Sequence, residues 1–178
     1  LPATLRGELL SRLGVIHIER SEFGRGKRLL EAAVPALRAP SADPQRLAEA
    51  LGYLGYALDY KDADRAFGLI DEALSLLAHS TKNDEIGIRL QRMRASILFG
   101  TGRSREAADA LRELLGKADR RLGARHVEAA TVRVLLAMAL NASDRSQEAL
   151  VHAEQGYRDL QDHLGKDHPR TIQAGNSL

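Results

Sequence analysis

The 178 residues are 44% hydrophobic and 28% charged, the profile of a folded, helix-rich soluble chain with material for one ordinary core. The 26 basic and 24 acidic side chains nearly cancel, to +2, which sets aside a nucleic-acid surface, since that needs basic residues gathered on one face. The absence of cysteine excludes disulfides, thiolate metal sites and thiol nucleophiles, and no apolar run approaches the ~18 residues of a membrane span.

The chain opens at Leu1 rather than Met, without a basic-plus-apolar leader, and stops at Leu178 inside a helical pattern. It is expected to be a piece of a longer, cytoplasmic protein. Caps and breakers place the first helix pair at 3–20 and 23–38, with Pro35 a kink or an early stop in its second member. A loop through Ala39-Pro40-Ser41-Ala42 leads to Asp43-Pro44, an N-cap followed by proline at the first helical position. Helices 44–60 and 63–79 follow. Asn83 or Asp84 caps a helix ending near Gly100, and Gly100-Thr101-Gly102 turns into a helix from Ser104 to about Leu122. The fourth pair runs 126–142 and 146–163, and a ninth helix begins near Pro169. No alternating strand pattern appears.

Small residues recur with a long period. Gly14, Gly55, Ala95 and Ala137 are 41, 40 and 42 apart; Gly26, Ala66, Ala107 and Ala149 are 40, 41 and 42 apart. Leu122-Gly123-Ala-Arg-His126 returns as Leu164-Gly165-Lys-Asp-His168, 42 residues on. The frame is constant: Leu10-x2-Leu13-Gly14, Leu51-x2-Leu54-Gly55, then the weaker Arg94-Ala95-x2-Leu98 and Leu136-Ala137-x2-Leu140 in first helices, with Gly26-x3-Leu30, Ala66-x3-Ile70 and Ala107-x3-Leu111 in second ones. A Gly or Ala lets two antiparallel helices touch where Leu would hold them apart, and large neighbours fill the flanking grooves.

These residues resemble tetratricopeptide repeats, whose small and aliphatic positions are matched while the aromatic ones are not. The period near 41, and the phrase Leu164-Gly165-Lys166-Asp167-His168-Pro169, resemble the kinesin-light-chain type. The opening Leu5-Arg6-Gly7-Glu8-Leu9-Leu10 through Leu13-Gly14 also resembles the first repeat downstream of bacterial serine/threonine kinase domains. HEAT and armadillo repeats share the length range and are the structural alternative. The resemblance implies an all-α, right-handed superhelical solenoid in a single domain: repeats 3–38, 44–79, 84–122 and 126–163, plus a partial fifth at 168–178.

Chemistry is sparse. Gly24-Arg25-Gly26-Lys27-Arg28 lacks the Walker spacing, with Ser21 and Arg28 where glycine and Ser/Thr belong. The histidines (17, 79, 126, 152, 163 and 168) never stand four apart on a helix; only His163 and His168, with Asp162 and Asp167, make a metal candidate, against a plainer role as repeat punctuation. Carboxylates such as Glu106, Glu113, Asp119 and Glu148 lie among Arg and Lys on solvated faces. No enzyme, metal or cofactor is expected.

In this repeat class the first helices line the concave surface. On 44–60, Glu49, Tyr53, Tyr56 and Tyr60 form a stripe apart from the core leucines, continued by Arg89, Arg92, Ser96 and Phe99 in the next repeat. The corresponding residues are Glu8, Ser11, Val15 and Ile18 in the first repeat and Thr131, Val134, Leu135 and Met138 in the fourth. Tyrosine suits an interface, although the same tyrosines could pack on the neighbouring repeat instead. The expected partner is a protein or peptide segment with aliphatic anchors and an acidic group, bound by the non-catalytic regulatory part of a kinase-linked signalling protein. The asparagine pair of kinesin-light-chain repeats is missing: Tyr53, Met93, Arg94 and Leu135 surround its places, and only Asn176-Ser177 echoes it. The alternatives are a sensor with a closed apolar pocket between repeats, controlling an output domain such as a transcriptional regulator, and homo-oligomerisation through the repeat ends.

Overall fold

The computed structural model describes residues 2–58, 60–78 and 84–176. Among them the chain is all-α, without strand: α1 Ala3–Glu19, α2 Phe23–Leu37, α3 Pro44–Tyr56, α4 Ala63–Leu77, α5 Asp84–Gly100, α6 Ser104–Arg121, α7 Val127–Asn141, α8 Ser146–Leu164 and α9 Pro169–Gly175.

Capping chemistry sets the boundaries. The Asp43 carboxylate accepts from the Gln45 N–H at 2.9 Å, with Pro44 in the first turn. The recurring Leu-Gly-x-x-His phrase works twice locally. Gly123 and Gly165 take φ of 100° and 85°, left-handed backbone that ends α6 and α8 without steric cost. Three residues on, Nδ1 of His126 and of His168 accepts the N–H of Glu128 and Arg170 at 3.2 Å, capping α7 and α9 where Ser or Asp more often stands.

One expected boundary moves, and Pro35 does not stop its helix early. α2 continues through Pro35 to Leu37: the proline is exposed and near the helix end, so its missing N–H falls on the solvent side. α3 stops at Tyr56, not at 60: the Ala57 N–H is shared between the Tyr53 and Leu54 carbonyls, and the Leu58 N–H bonds three residues back, to Gly55. The chain then turns through a 3₁₀ segment, Tyr60–Asp62, into α4. His79 and the cap candidate Asn83 lie outside the described residues.

The chain divides into two compact units, Leu1–Ile97 and Leu98–Leu178. In the first, α1 packs on α2, α3 on α4, and α2 on α3. The pairs touch at the predicted small residues. A Cβ at Gly14 would come within 2.8 Å of Leu30 Cγ and 3.2 Å of the Gly26 carbonyl, and one at Gly55 within 2.9 Å of the Ala66 carbonyl. Gly7 meets Ala36 while Gly14 meets Gly26, so contacts run backward along α2 as they run forward along α1: the helices are antiparallel. Leu30, Leu51 and Ile70 are wholly buried at this seam, each worth about 1.5–3 kcal/mol of transfer free energy. A close approach without a counterpart in the repeat frame occurs at Gly52, where a Cβ would overlap Leu90 Cδ2 of α5.

In the second unit, α7 packs on α6 and α8, and α8 on α9. Its core includes a buried ion network. Arg133 occupies the slot filled by Leu10 and Leu51 earlier, yet donates to both Asp119 oxygens (2.8 and 3.0 Å) and to the Ala124 carbonyl. It also stands 3.7 Å from the Asp159 carboxylate, which is 1% exposed and accepts from Arg125 and Gln155. Glu128, equally buried, accepts from Arg170 one repeat further on.

Candidate functional site

The expected stripe is partly gathered in the first unit. Tyr53 is 2% exposed, its hydroxyl donating to Glu19 Oε1 at 2.9 Å across to α1. Burial pushes its phenol up to about 12, with the Glu19 charge adding and Arg89 and Arg92 opposing. Those two arginines therefore stand near Tyr53. Arg89, largely covered, donates to Glu85 at 2.6 Å, and Arg92 is 8% exposed. Glu49, half-buried, accepts from Arg46 at 3.1 Å. Tyr56 is half-buried and meets Phe23 edge-on, with ring centroids 5.9 Å apart. Ser96 lies on α5 within this unit, half-buried.

Two members separate from the group. Tyr60 lies beyond the end of α3 in the 3₁₀ turn and is 57% exposed. Phe99 falls on α5 past the division, in the second unit. The first-repeat residues also differ from expectation. Ser11 and Ile18 are buried, Ile18 against Gly26, because they face α2 and the next repeat; Glu19 reaches the stripe from α1 instead. In the fourth repeat, Val134 and Leu135 are buried, Val134 packing on Gly156 of α8.

Sequence reasoning missed Glu19, Arg46 and Glu85. Arg89–Glu85 and Arg46–Glu49 are four and three apart, which puts them on one helical face. Glu19 stands 34 residues from Tyr53, and only the stacking of α3 beside α1 brings it near. The arrangement is a polar, hydrogen-bonded ledge of alternating charge with tyrosine rings between. It offers donors and acceptors but no activated nucleophile.

Among the described residues no group of three histidines and carboxylates is placed to hold a metal ion. His163 Nδ1 lies 2.8 Å from the Asp159 carbonyl, and His168 caps α9. Gly24 to Arg28 lie within α2, and Gly102 (φ 81°) is the turn before α6. Two clefts, of about 380 Å³ beside Leu10 and Pro35 and about 260 Å³ beside Arg103 and Asp144, are open to solvent. No helix among the described residues is long and apolar enough to cross a membrane.

No family model and no curated protein matches the sequence. Solved structures do match. BtubC (BKLC) of P. vanneervenii superposes with a TM-score of 0.70 at 19% identity, over 98% of this chain and 72% of that one. A Podosopora anserina protein with nearly identical TPR-like repeats of kinesin-light-chain type gives 0.63 at 20% identity, over 100% and 85%; a second crystal structure of those repeats gives 0.65 at 19%, over 99% and 84%. The chain thus has the fold of these tetratricopeptide-like, kinesin-light-chain-type repeat structures.

Proposed function

We propose that this chain is a non-catalytic interaction module that binds a partner polypeptide along the first-helix face of its repeats, as the regulatory part of a larger signalling protein. The observation that carries the reading is the partly exposed set of Glu49, Tyr56 and Arg89, which borders the buried Tyr53 and Arg92. The partner segment carries an acidic group opposite Arg89 and aliphatic anchors beside Tyr56, with Tyr60 and, further along α5, Ser96 extending the surface. Linkage to a kinase or another bacterial signalling domain rests on the resemblance of the opening repeat. The ligand-sensor reading needs an enclosed apolar pocket, and the two clefts described are open.

The test is selection of peptides from a random display library on the purified chain, followed by affinities for Tyr56→Ala and Arg89→Ala. Each substitution should weaken the selected acidic–aliphatic peptides about tenfold, as loss of one interface anchor costs above ~1 kcal/mol, while Arg25→Ala on α2 should not. Peptides that bind both variants as tightly as the wild type, or a library that yields none, would remove the groove assignment.

A further inference from the structure

Along α8, Glu148, His152, Gln155 and Asp159 recur at spacings of 4, 3 and 4, which puts them within an arc of about 60° at 3.6 residues per turn. Arg112 and Asp119 stand seven apart on one face of α6. Side chains tie the two stripes at both ends. At one end Arg112 donates to Glu148 at 2.8 Å, and Arg145 takes the other Glu148 oxygen. At the other end Arg133 of α7 reaches between Asp119, at 2.8 Å, and Asp159, at 3.7 Å. Half-buried His152 lies between these clusters, within the field of Glu148 on α8, Arg112 and Asp119 on α6, and Arg133 on α7. Each of those four charges already has an opposite partner. A neutral imidazole suits such a seam, and an imidazolium would be a surplus cation in it.

We propose that His152 makes the seam between α6 and α8 an acid-sensitive clasp: once protonated, it competes with Arg112 for Glu148 and replaces a bridge between helices by a pair within α8. Glu148 precedes His152 by four residues, so the two are neighbours on the helix surface. The hydrogen bond from Arg112 holds the Glu148 carboxyl below its ordinary range, and Glu148 therefore stays ionised while a histidine titrates. Burial holds His152 below its ordinary value; the Glu148 charge opposes this, and Arg133 and Arg112 add to it. A histidine depressed in the folded state takes its proton more readily in the unfolded chain. The seam is therefore at full strength above pH ~6.5 and weakens as pH falls below that toward the folded-state value. The clasp lies wholly within the second unit and stands independently of the groove reading.

Nuclear magnetic resonance of the His152 ring protons in the purified chain, followed from about pH 4.5 to 8.5, tests it. The midpoint should lie below about 6.5. In Arg112→Gln it should rise, because Glu148 is then free to hold the imidazolium. Thermal denaturation gives a second readout. Between about pH 7.5 and 5.5 the wild type should lose a few degrees more than His152→Gln, which carries no charge at either pH. The same comparison in an Arg112→Gln background should show a smaller difference. A His152 midpoint at or above about 6.5, or one that Arg112→Gln leaves in place, overturns the proposal. Equal acid losses in the wild type and His152→Gln overturn it as well.

Discussion

Replacing Gly55 with alanine adds one methyl group and separates two effects that usually travel together. In a helix interior the change from glycine gains about 0.5–1 kcal/mol of conformational free energy. At Gly55 the new Cβ would lie 2.9 Å from the Ala66 carbonyl oxygen and 3.1 Å from Ile70 Cγ1. The first of these is backbone, so α3 and α4 must part by a few tenths of an ångström along a seam where Leu51, Ala66 and Ile70 are buried. Overpacking of this kind costs about 1–3 kcal/mol. The lower half of that range is favoured because Ala95 and Ala137 stand at the equivalent positions of later repeats. Gly68 is the control: it is in α4, exposed, with nothing within 4 Å of its ideal Cβ. Gly68→Ala should therefore raise the melting temperature by about 1–4 °C, and Gly55→Ala should lower it by a similar amount or more, at roughly 2–4 °C per kcal/mol for a chain of this size. Thermal and urea denaturation followed by circular dichroism would measure both. If the two variants shift in the same direction by the same amount, the helices do not touch at this glycine and the reason given for the repeat spacing fails.

Other consequences are open to similar measurement. Arg133→Leu restores the leucine found at this slot in the first two repeats but removes the donor to Asp119 and the Ala124 carbonyl, while Asp159 keeps Arg125 and Gln155, so it should cost about 1–3 kcal/mol in thermal denaturation; no loss of melting temperature would count against the network. Tyr53→Phe should destabilise by about 1–2 kcal/mol at neutral pH through the lost bond to Glu19. The wild-type phenol is raised in the folded state to about 12, so its contribution is complete below pH 10 and disappears as pH climbs toward 12. The gap between wild type and Tyr53→Phe should close over that interval, and a constant gap would mean the phenol is not buried. His126→Ala and His168→Ala should each remove one cap, about 1 kcal/mol, with Asn at either place retaining most of it; equal melting of the Ala and Asn variants would count against the capping role.

Much of the fold was legible because close approach leaves a mark in composition. Gly14 with Gly26, and Gly55 with Ala66, are places where only a small residue fits, and two series of such places fix both the period and the antiparallel pairing. The Leu-Gly-x-x-His phrase was visible as punctuation, although spacing alone did not reveal that its glycine supplies a positive φ and its histidine an acceptor. The candidate site was harder to read. A helical wheel groups Glu49, Tyr53 and Tyr56 on one stripe but cannot tell that Tyr53 is buried in the core, and it carries the helix on to Tyr60 because no breaker stands between. Glu19 was invisible for a different reason: its partner is 34 residues away, and side-chain pairs between repeats depend on stacking geometry.

At two of the repeat junctions, one in each unit, such a pair joins the same two positions, whereas Asp71 and Glu106, which hold those positions in the second and third repeats, pair with Arg94 and Arg103 instead. Glu31 of α2 lies 3.8 Å from Arg65 of α4, and Arg112 of α6 lies 2.8 Å from Glu148 of α8. Glu31 and Arg112 are each five residues past the small residue of their second helix, while Arg65 and Glu148 each precede theirs by one. The same two positions are therefore bridged in both units with the charges exchanged. Each exposed pair adds at most about 1 kcal/mol, so stability is a weak reason for it. Discrimination is a stronger one, because a second helix bearing Glu31 would meet Glu148, like against like, if it docked on the wrong successor. Reversing one pair alone, by Glu31→Arg, should therefore cost more than removing it by Glu31→Ala, and the double exchange Glu31→Arg with Arg65→Glu should return the wild-type stability. If Glu31→Arg melts no earlier than Glu31→Ala, the exchanged charges are incidental and confer no register.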